Sequence, residues 1–298
     1  MRVLVYFPFV ACAIGIAGAR PVARRTAPHL AARVLAATGI VLALTTAAAL
    51  SLLAFTVLAR IPFVAAHGHW ASSAVARKVN VPEWVGVLAL VCIVAIAGKA
   101  IRTLDEYRRG LARAFRLQLA SSGQIVTVAD HDSFAYACRA WPFRPGVIVV
   151  SAGLQQTLDA EQRAAVLAHE HSHLRHQHNL YQLVALLTRV LNPLLQPIEH
   201  ELSFSLERWA DEDAAAAQGR EVTASALALS ALNRGRPTPE PALAHATNGA
   251  PARVRALLNP HQHNRVLMAA AAVNAILATL AVLLAAHSTE LIFEAIRR

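Results

Sequence analysis

Cysteine is scarce in this chain and carries no pattern. Cys12, Cys92 and Cys138 are odd in number and lack metal-ligand spacing, so nothing points to a disulfide framework or a cysteine-based metal site. Two of them fall in apolar stretches and read as small buried hydrophobes. Charge is scarce too: 15% of the 298 residues are charged and 56% hydrophobic, with a mean hydropathy of +0.42. A soluble domain carries about 25% charged residues, so a membrane protein is the first class to consider. Acidic residues are the scarcer sign, 18 Asp and Glu against 28 Lys and Arg, leaving a formal charge of +10. On a soluble domain that excess would point to nucleic acid. Beside long apolar runs it fits basic loops that orient membrane helices and meet anionic lipid, and no direct nucleic-acid partner is expected.

Four uncharged apolar stretches run from Val3 to Ala19, Val34 to Ala59, Trp84 to Gly98 and Val266 to Ala286. A spanning helix needs about 17–25 such residues. The second and fourth qualify easily, and the third needs Lys99 to snorkel or the segment before Trp84 to help. The first ends in Ala17-Gly18-Ala19, which resembles a signal-peptide cleavage site. Only Arg2 precedes it, however, and three more spans follow, so a retained helix is expected. Arg20, Arg24, Arg25 and Arg33 crowd the first connecting loop, and Lys99, Arg102, Arg108, Arg109, Arg113 and Arg116 follow the third span. The positive-inside rule then puts the N-terminus outside and both basic segments in the cytoplasm. Three regions follow: 1–98 with three membrane helices, 99–265 a cytoplasmic domain, and 266–298 a last helix with a short outer tail.

Within the middle region, Ile101, Leu104, Leu111 and Phe115 recur at helical spacing, as in an amphipathic helix leaving the membrane. Short strands are expected at Gln124–Val128, Phe134–Arg139 and Val147–Val150. Helices are expected at about Ala160–His178, Tyr181–Leu195, Glu199–Gln218 and Glu221–Asn233. The first opens on a capping-box pair, Asp159 and Gln162. The stretch Gly235–Ala252 reads as loop.

The chemistry concentrates in His169-Glu170-His171-Ser172-His173. On a helix, histidines four residues apart project from one face and can grip one ion. Glu170, about 100° round the axis, lies beside that ion and can take a proton from an attacking water. His176 shares the face but stands about 10 Å along the axis from His169, too far for both to hold one zinc. His171 and His178 are expected to face solvent. A third ligand is offered by Glu207, with Asp211 one turn later on the same face and able to accept the free N–H of a ligand histidine. The bland alternative is a solvated acidic face, Glu207/Asp211/Glu212/Asp213. The upstream histidine pair favours the ligand reading.

With these residues in place, the sequence resembles the gluzincin-type membrane peptidases. It looks most like the BlaR/MecR-type family (family fifty-six of the metallopeptidases), with the HtpX-type family close behind. The similarity runs through Pro145–Ser151, Gly153-Leu154, Ala165–Glu170, His173, Asn192-Pro193, Glu207, Ala210-Asp211 and Arg253–Leu257. It implies a mainly α, polytopic membrane protein with four transmembrane helices and a cytoplasmic α+β gluzincin-type domain between the third and fourth. It further implies zinc on His169, His173 and Glu207, Glu170 as base and Asp211 supporting a ligand. The expected activity is zinc endopeptidase cleavage of a cytoplasmic or membrane protein, in a bacterial plasma membrane. Regulation is the first expected role, with a cytoplasmic DNA-binding repressor as a possible substrate partner. HtpX-like quality control and a non-proteolytic, metal-binding signal module are the alternatives. No Ser-x-x-Lys motif follows the last span, so the penicillin-binding sensor of antibiotic receptors is expected to be lacking. Three spans before the domain favour the BlaR/MecR type, and HtpX-type enzymes place two hydrophobic segments between the motif and the third ligand. A substrate is expected to pair with an edge strand such as Val147–Val150. Tyr181, His200 and Arg208 are candidates for stabilising the oxyanion.

Overall fold

Helix α1 (Phe7–Arg25) turns at Thr26 into α2 (Pro28–Leu58). After a short α3 (Pro62–Gly68), α4 runs from Glu83 to Ala120. These belong to a computed structural model that describes residues 7–68, 82–120, 124–139, 146–233 and 249–259. The protein is mostly helical among those residues, and two helices, α2 and residues 83–113 of α4, are long and apolar enough to cross a membrane. The third expected span and the amphipathic segment after it are one continuous helix. Apolar side chains on α4, among them Trp84, Val91, Val94 and Ile101, are exposed. The fourth expected span, Val266–Ala286, lies outside the described residues.

Three short strands follow: β1 (Ile125–Val128), β2 (Ala135–Cys138) and β3 (Val147–Ser151). β3 sits in the middle, parallel to β1 and antiparallel to β2. Its five residues are all buried, because both sheet faces are covered. Ile148 and Val150 pack with Leu154, Leu158 and Leu174, while Val147 and Val149 pack with Cys138 on the other face. A run of β-branched residues is what such a strand requires. This corrects the expected substrate edge: Val147–Val150 is the central strand, and β2 is an edge. Ser151 then caps α5 (Ala152–Thr157), its Oγ accepting from Leu154 N at 3.1 Å. Gly153 is needed there, since a Cβ would stand 2.1 Å from the His131 carbonyl oxygen.

Helix α6 (Ala160–Arg175) carries the motif. The capping box is formed, with Gln162 N donating to Asp159 Oδ1 at 2.8 Å and Asp159 N to Gln162 Oε1 at 3.1 Å. At its far end, Arg139 from the strand side donates to the Leu174 carbonyl at 2.7 Å, where a cation also suits the helix dipole. α6 ends three residues earlier than expected. Gln177 adopts left-handed backbone, φ 54°, and α7 (His178–Leu191) starts directly after it. Asn192 and a 3-10 turn (Pro193–Leu195) reverse the chain into α8 (Gln196–Gln218). α9 (Arg220–Leu232) and α10 (Ala250–Leu258) complete the described fold. α10 begins inside the stretch expected to be loop.

The α7–α8 hairpin packs on α1 and α2. Leu195, Ile198, Leu202 and Leu206 of the hairpin meet Leu35, Leu42 and the small residues Ala31, Ala32 and Ala43. Small residues let helices approach closely, which matters where lipid is as apolar as the partner helix. A Cβ on Gly39 would lie 3.0 Å from the Thr188 methyl of α7. Asn192 Nδ2 donates to Thr46 Oγ1 at 3.1 Å and to Cys12 Sγ at 3.3 Å, tying the hairpin's tip to both N-terminal helices.

Candidate metal centre

His169 and His173 face Glu207 across the α6–α8 contact. Their Nε2 atoms are 3.1 Å apart, and Glu207 stands 3.5 Å from each, through Oε2 to His169 and Oε1 to His173. Zinc bonded to nitrogen or oxygen at about 2.0–2.1 Å in tetrahedral geometry holds its ligand atoms about 3.3–3.4 Å apart. The three separations match that spacing, so two imidazoles and a carboxylate here fit zinc.

The neighbouring charges are tightly organised. His169 Nδ1 donates to Asp211 Oδ1 at 3.0 Å. Burial alone would lower the His169 pKa, but hydrogen bonds to Asp211 and Glu207 outweigh it and hold the group at about 10. Burial lowers the His173 pKa to about 4. It would raise both acidic partners, yet Arg253 and the histidines keep Glu207 well below the usual carboxylate range and Asp211 below it also. Arg253 is 5% exposed and donates Nη1 to Glu207 Oε2 at 2.8 Å and two further bonds to Asp211.

Glu170 is buried beside the histidines. Burial pushes its carboxyl upward, against His169 and the Ala137 backbone N–H that it accepts from. That N–H belongs to β2, so the edge strand runs along the proposed base. The cleft above is lined by Phe134, Ala135 and Ala137 from the β2 side, Val166 from α6, Asn179 and Gln182 from α7, and Ala226 and Leu227 from α9.

The structure therefore brings His169, His173, Glu207, Asp211 and Glu170 together. Of the acidic run, only Glu207 and Asp211 turn inward to it. Glu212 pairs with Arg220 at 2.7 Å, and Asp213 accepts from Ser172 at 2.7 Å and contacts His176 at 2.9 Å. His171 is exposed, as expected. His178 is the correction: it is fully buried, with Nδ1 2.8 Å from His173 Nδ1. A solvent-facing position required α6 to continue through it. None of the three oxyanion candidates lines the cleft. Arg208 donates instead to the Ala23 carbonyl at 2.6 Å, Tyr181 packs near Trp209, and His200 is exposed. Sequence reasoning gave Arg253 no role, because nothing local ties it to carboxylates over forty residues upstream.

Two histidines one turn apart, answered by a carboxylate from a second helix, are what a metallopeptidase needs, and a cleft opens beside them. That class now has a family. The model of Peptidase family M48 matches residues 100–261, more than half of the chain, and the chain belongs to that family of metallopeptidases. No curated protein and no solved structure matches it.

Proposed function

We propose that this chain is a multi-pass zinc metalloendopeptidase of a bacterial plasma membrane, with its catalytic domain on the cytoplasmic side. The observation that carries the chemistry is the tetrahedral spacing of His169, His173 and Glu207 with buried Glu170 alongside. Zinc held there would polarise the scissile carbonyl and acidify its water. Glu170, kept basic by burial, takes the water's proton and passes it to the leaving amine. Asp211 holds the His169 ring, and an extended substrate is expected to run along β2, whose Ala137 N–H meets Glu170. Cytoplasmic placement is supported by the arginines at the adjoining ends of α1 and α2, which lie against α8, the helix that carries Glu207. Arg24 is 3.9 Å from Glu201, and the Arg33 guanidinium lies over the Trp209 ring at 5.7 Å. The basic loop and the cleft thus share one side.

For the biological role we favour the HtpX-like alternative, cleavage of membrane proteins, over regulation through a repressor. Arg33 marks the polar end of α2, and Thr46 lies about 20 Å further along the axis. That is past the middle of a hydrocarbon layer about 30 Å thick. Asn192, bonded to Thr46, therefore puts the hairpin between motif and third ligand deep beside α2, as two hydrophobic segments would be. Within the hairpin Arg189 and Glu199 pair at 2.8 Å, the usual fate of charges at such depth.

The test is Glu170→Gln in native membranes. The variant should keep zinc and lose cleavage by about a thousandfold or more, and it should retain bound substrate for identification. Undiminished turnover would sink the mechanism. A trapped DNA-binding repressor would restore the regulatory role.

A further inference from the structure

The strongest unassigned group is His178. The left-handed turn at Gln177 delivers it to the start of α7 directly behind the metal centre. It is 0% exposed, and its Nδ1 is 2.8 Å from Nδ1 of His173.

Chemistry fixes the direction of that hydrogen bond. His173 presents Nε2 to the ion position, since Nε2 is the atom near His169 Nε2 and Glu207 Oε1. An imidazole that ligates through Nε2 carries its proton on Nδ1. His173 Nδ1–H therefore donates, and His178 Nδ1 accepts. The single proton of His178 then sits on Nε2. That atom is buried with no hydrogen-bond partner among the described residues. The ring lies among those of Trp209, His176 and Tyr181, at 5.0, 5.9 and 6.5 Å. A buried donor without an acceptor is unfavourable, so the aromatic nest alone would be better filled by phenylalanine. What a histidine adds there is the acceptor at Nδ1.

We propose that His178 is the positioning residue for His173, its Nδ1 setting the tautomer and ring plane that aim Nε2 at the metal, as Asp211 does for His169. This rests on His173 being a ligand. The neutral acceptor has a reason: Glu170, Glu207 and Asp211 already crowd around Arg253, and a carboxylate behind His173 would add another buried negative charge.

The test uses the full chain in detergent and measures zinc affinity by competition with a chromophoric chelator. His178→Phe keeps the ring and removes the acceptor, and should bind zinc about 10–100-fold more weakly. His178→Asn places a carbonyl oxygen near the Nδ1 position and should bind close to wild type. His178→Gln reaches instead to the Nε2 position and should behave like the Phe variant. In chelator, the metal-free Phe variant should melt no lower than wild type, which separates positioning from packing. Unchanged affinity in His178→Phe, or equal affinities for the Asn and Gln variants, would overturn the proposal. The Asn and Gln pair decides even if the Phe variant fails to fold. His173→Ala is the control for the underlying reading: full zinc retention in that variant would remove the ligand itself rather than its support.

Discussion

Arg253 grips Asp211 through two parallel hydrogen bonds, Nε to Oδ2 at 2.7 Å and Nη2 to Oδ1 at 2.6 Å. Its remaining arm, Nη1, reaches Glu207 Oε2 at 2.8 Å. One guanidinium from α10 thus holds two carboxylates one turn apart on α8. The planar fork suits this task, and a lysine ammonium cannot serve both carboxylates in that geometry.

Removing it should be costly. Arg253→Ala leaves two buried carboxylates without their cation, and a broken buried pair costs about 3–5 kcal/mol. Arg253→Lys should recover only part of that. Unfolding in detergent with chelator present measures both. Equal stability of the Lys variant and wild type would show that the fork is dispensable.

Much of this was legible in the sequence, for a physical reason. Histidines at i and i+4 share a helix face wherever the helix lies, and the same holds for Glu207 and Asp211. Local periodicity therefore yields the two pairs before any tertiary contact is known, while their meeting in one centre was implied by the resemblance. The capping box at Asp159 and the strand at Val147–Val150 were readable in the same way. Long-range partners were not. Nothing around Arg253 announces Asp211. His178 was misplaced because the break at Gln177 occurs without Gly, Asn or Pro to signal it. Strand order also lay beyond local pattern, and so the edge that faces the cleft was assigned to the wrong strand.

Zinc binding should release a proton. His169 is held at about 10 by Asp211 and Glu207 despite burial, so at neutral pH the metal-free site carries a proton on this histidine. Zinc must displace it from Nε2. Between about pH 7 and 9, affinity should rise about tenfold per pH unit, as release of one proton per metal requires. Calorimetry in buffers of different ionisation enthalpy counts the proton directly. A pH-independent affinity would show that His169 is neutral before zinc arrives.

The turn at Asn192 should matter out of proportion to its size. Its Oδ1 caps the 3-10 turn, accepting from Leu194 N at 3.1 Å, while Nδ2 donates to Thr46 and Cys12. A cap is worth about 1 kcal/mol, and an interhelical bond in a membrane about 0.6–2 kcal/mol. Asn192→Leu should therefore lose about 1–3 kcal/mol in unfolding measurements in detergent. Thr46→Val should lose less, because the cap survives. Equal losses would place the effect in the Thr46 contact alone.

The depth of that turn separates the two biological readings. Leu194 is 58% exposed at the hairpin's tip, beside Asn192 and thus level with Thr46 of α2. If α2 spans the bilayer, this leucine faces lipid beyond the midplane. An exposed leucine there satisfies no packing demand inside the protein, but it suits hydrocarbon. A spin label on Leu194→Cys in a cysteine-free background, reconstituted in vesicles, should relax with oxygen and resist a water-soluble nickel reagent. The same label at Leu232, 81% exposed at the end of α9, should show the opposite preference. Nickel access at both positions would put the hairpin in water and remove the structural support for cleavage of membrane proteins, while the metal centre itself would stand unaffected.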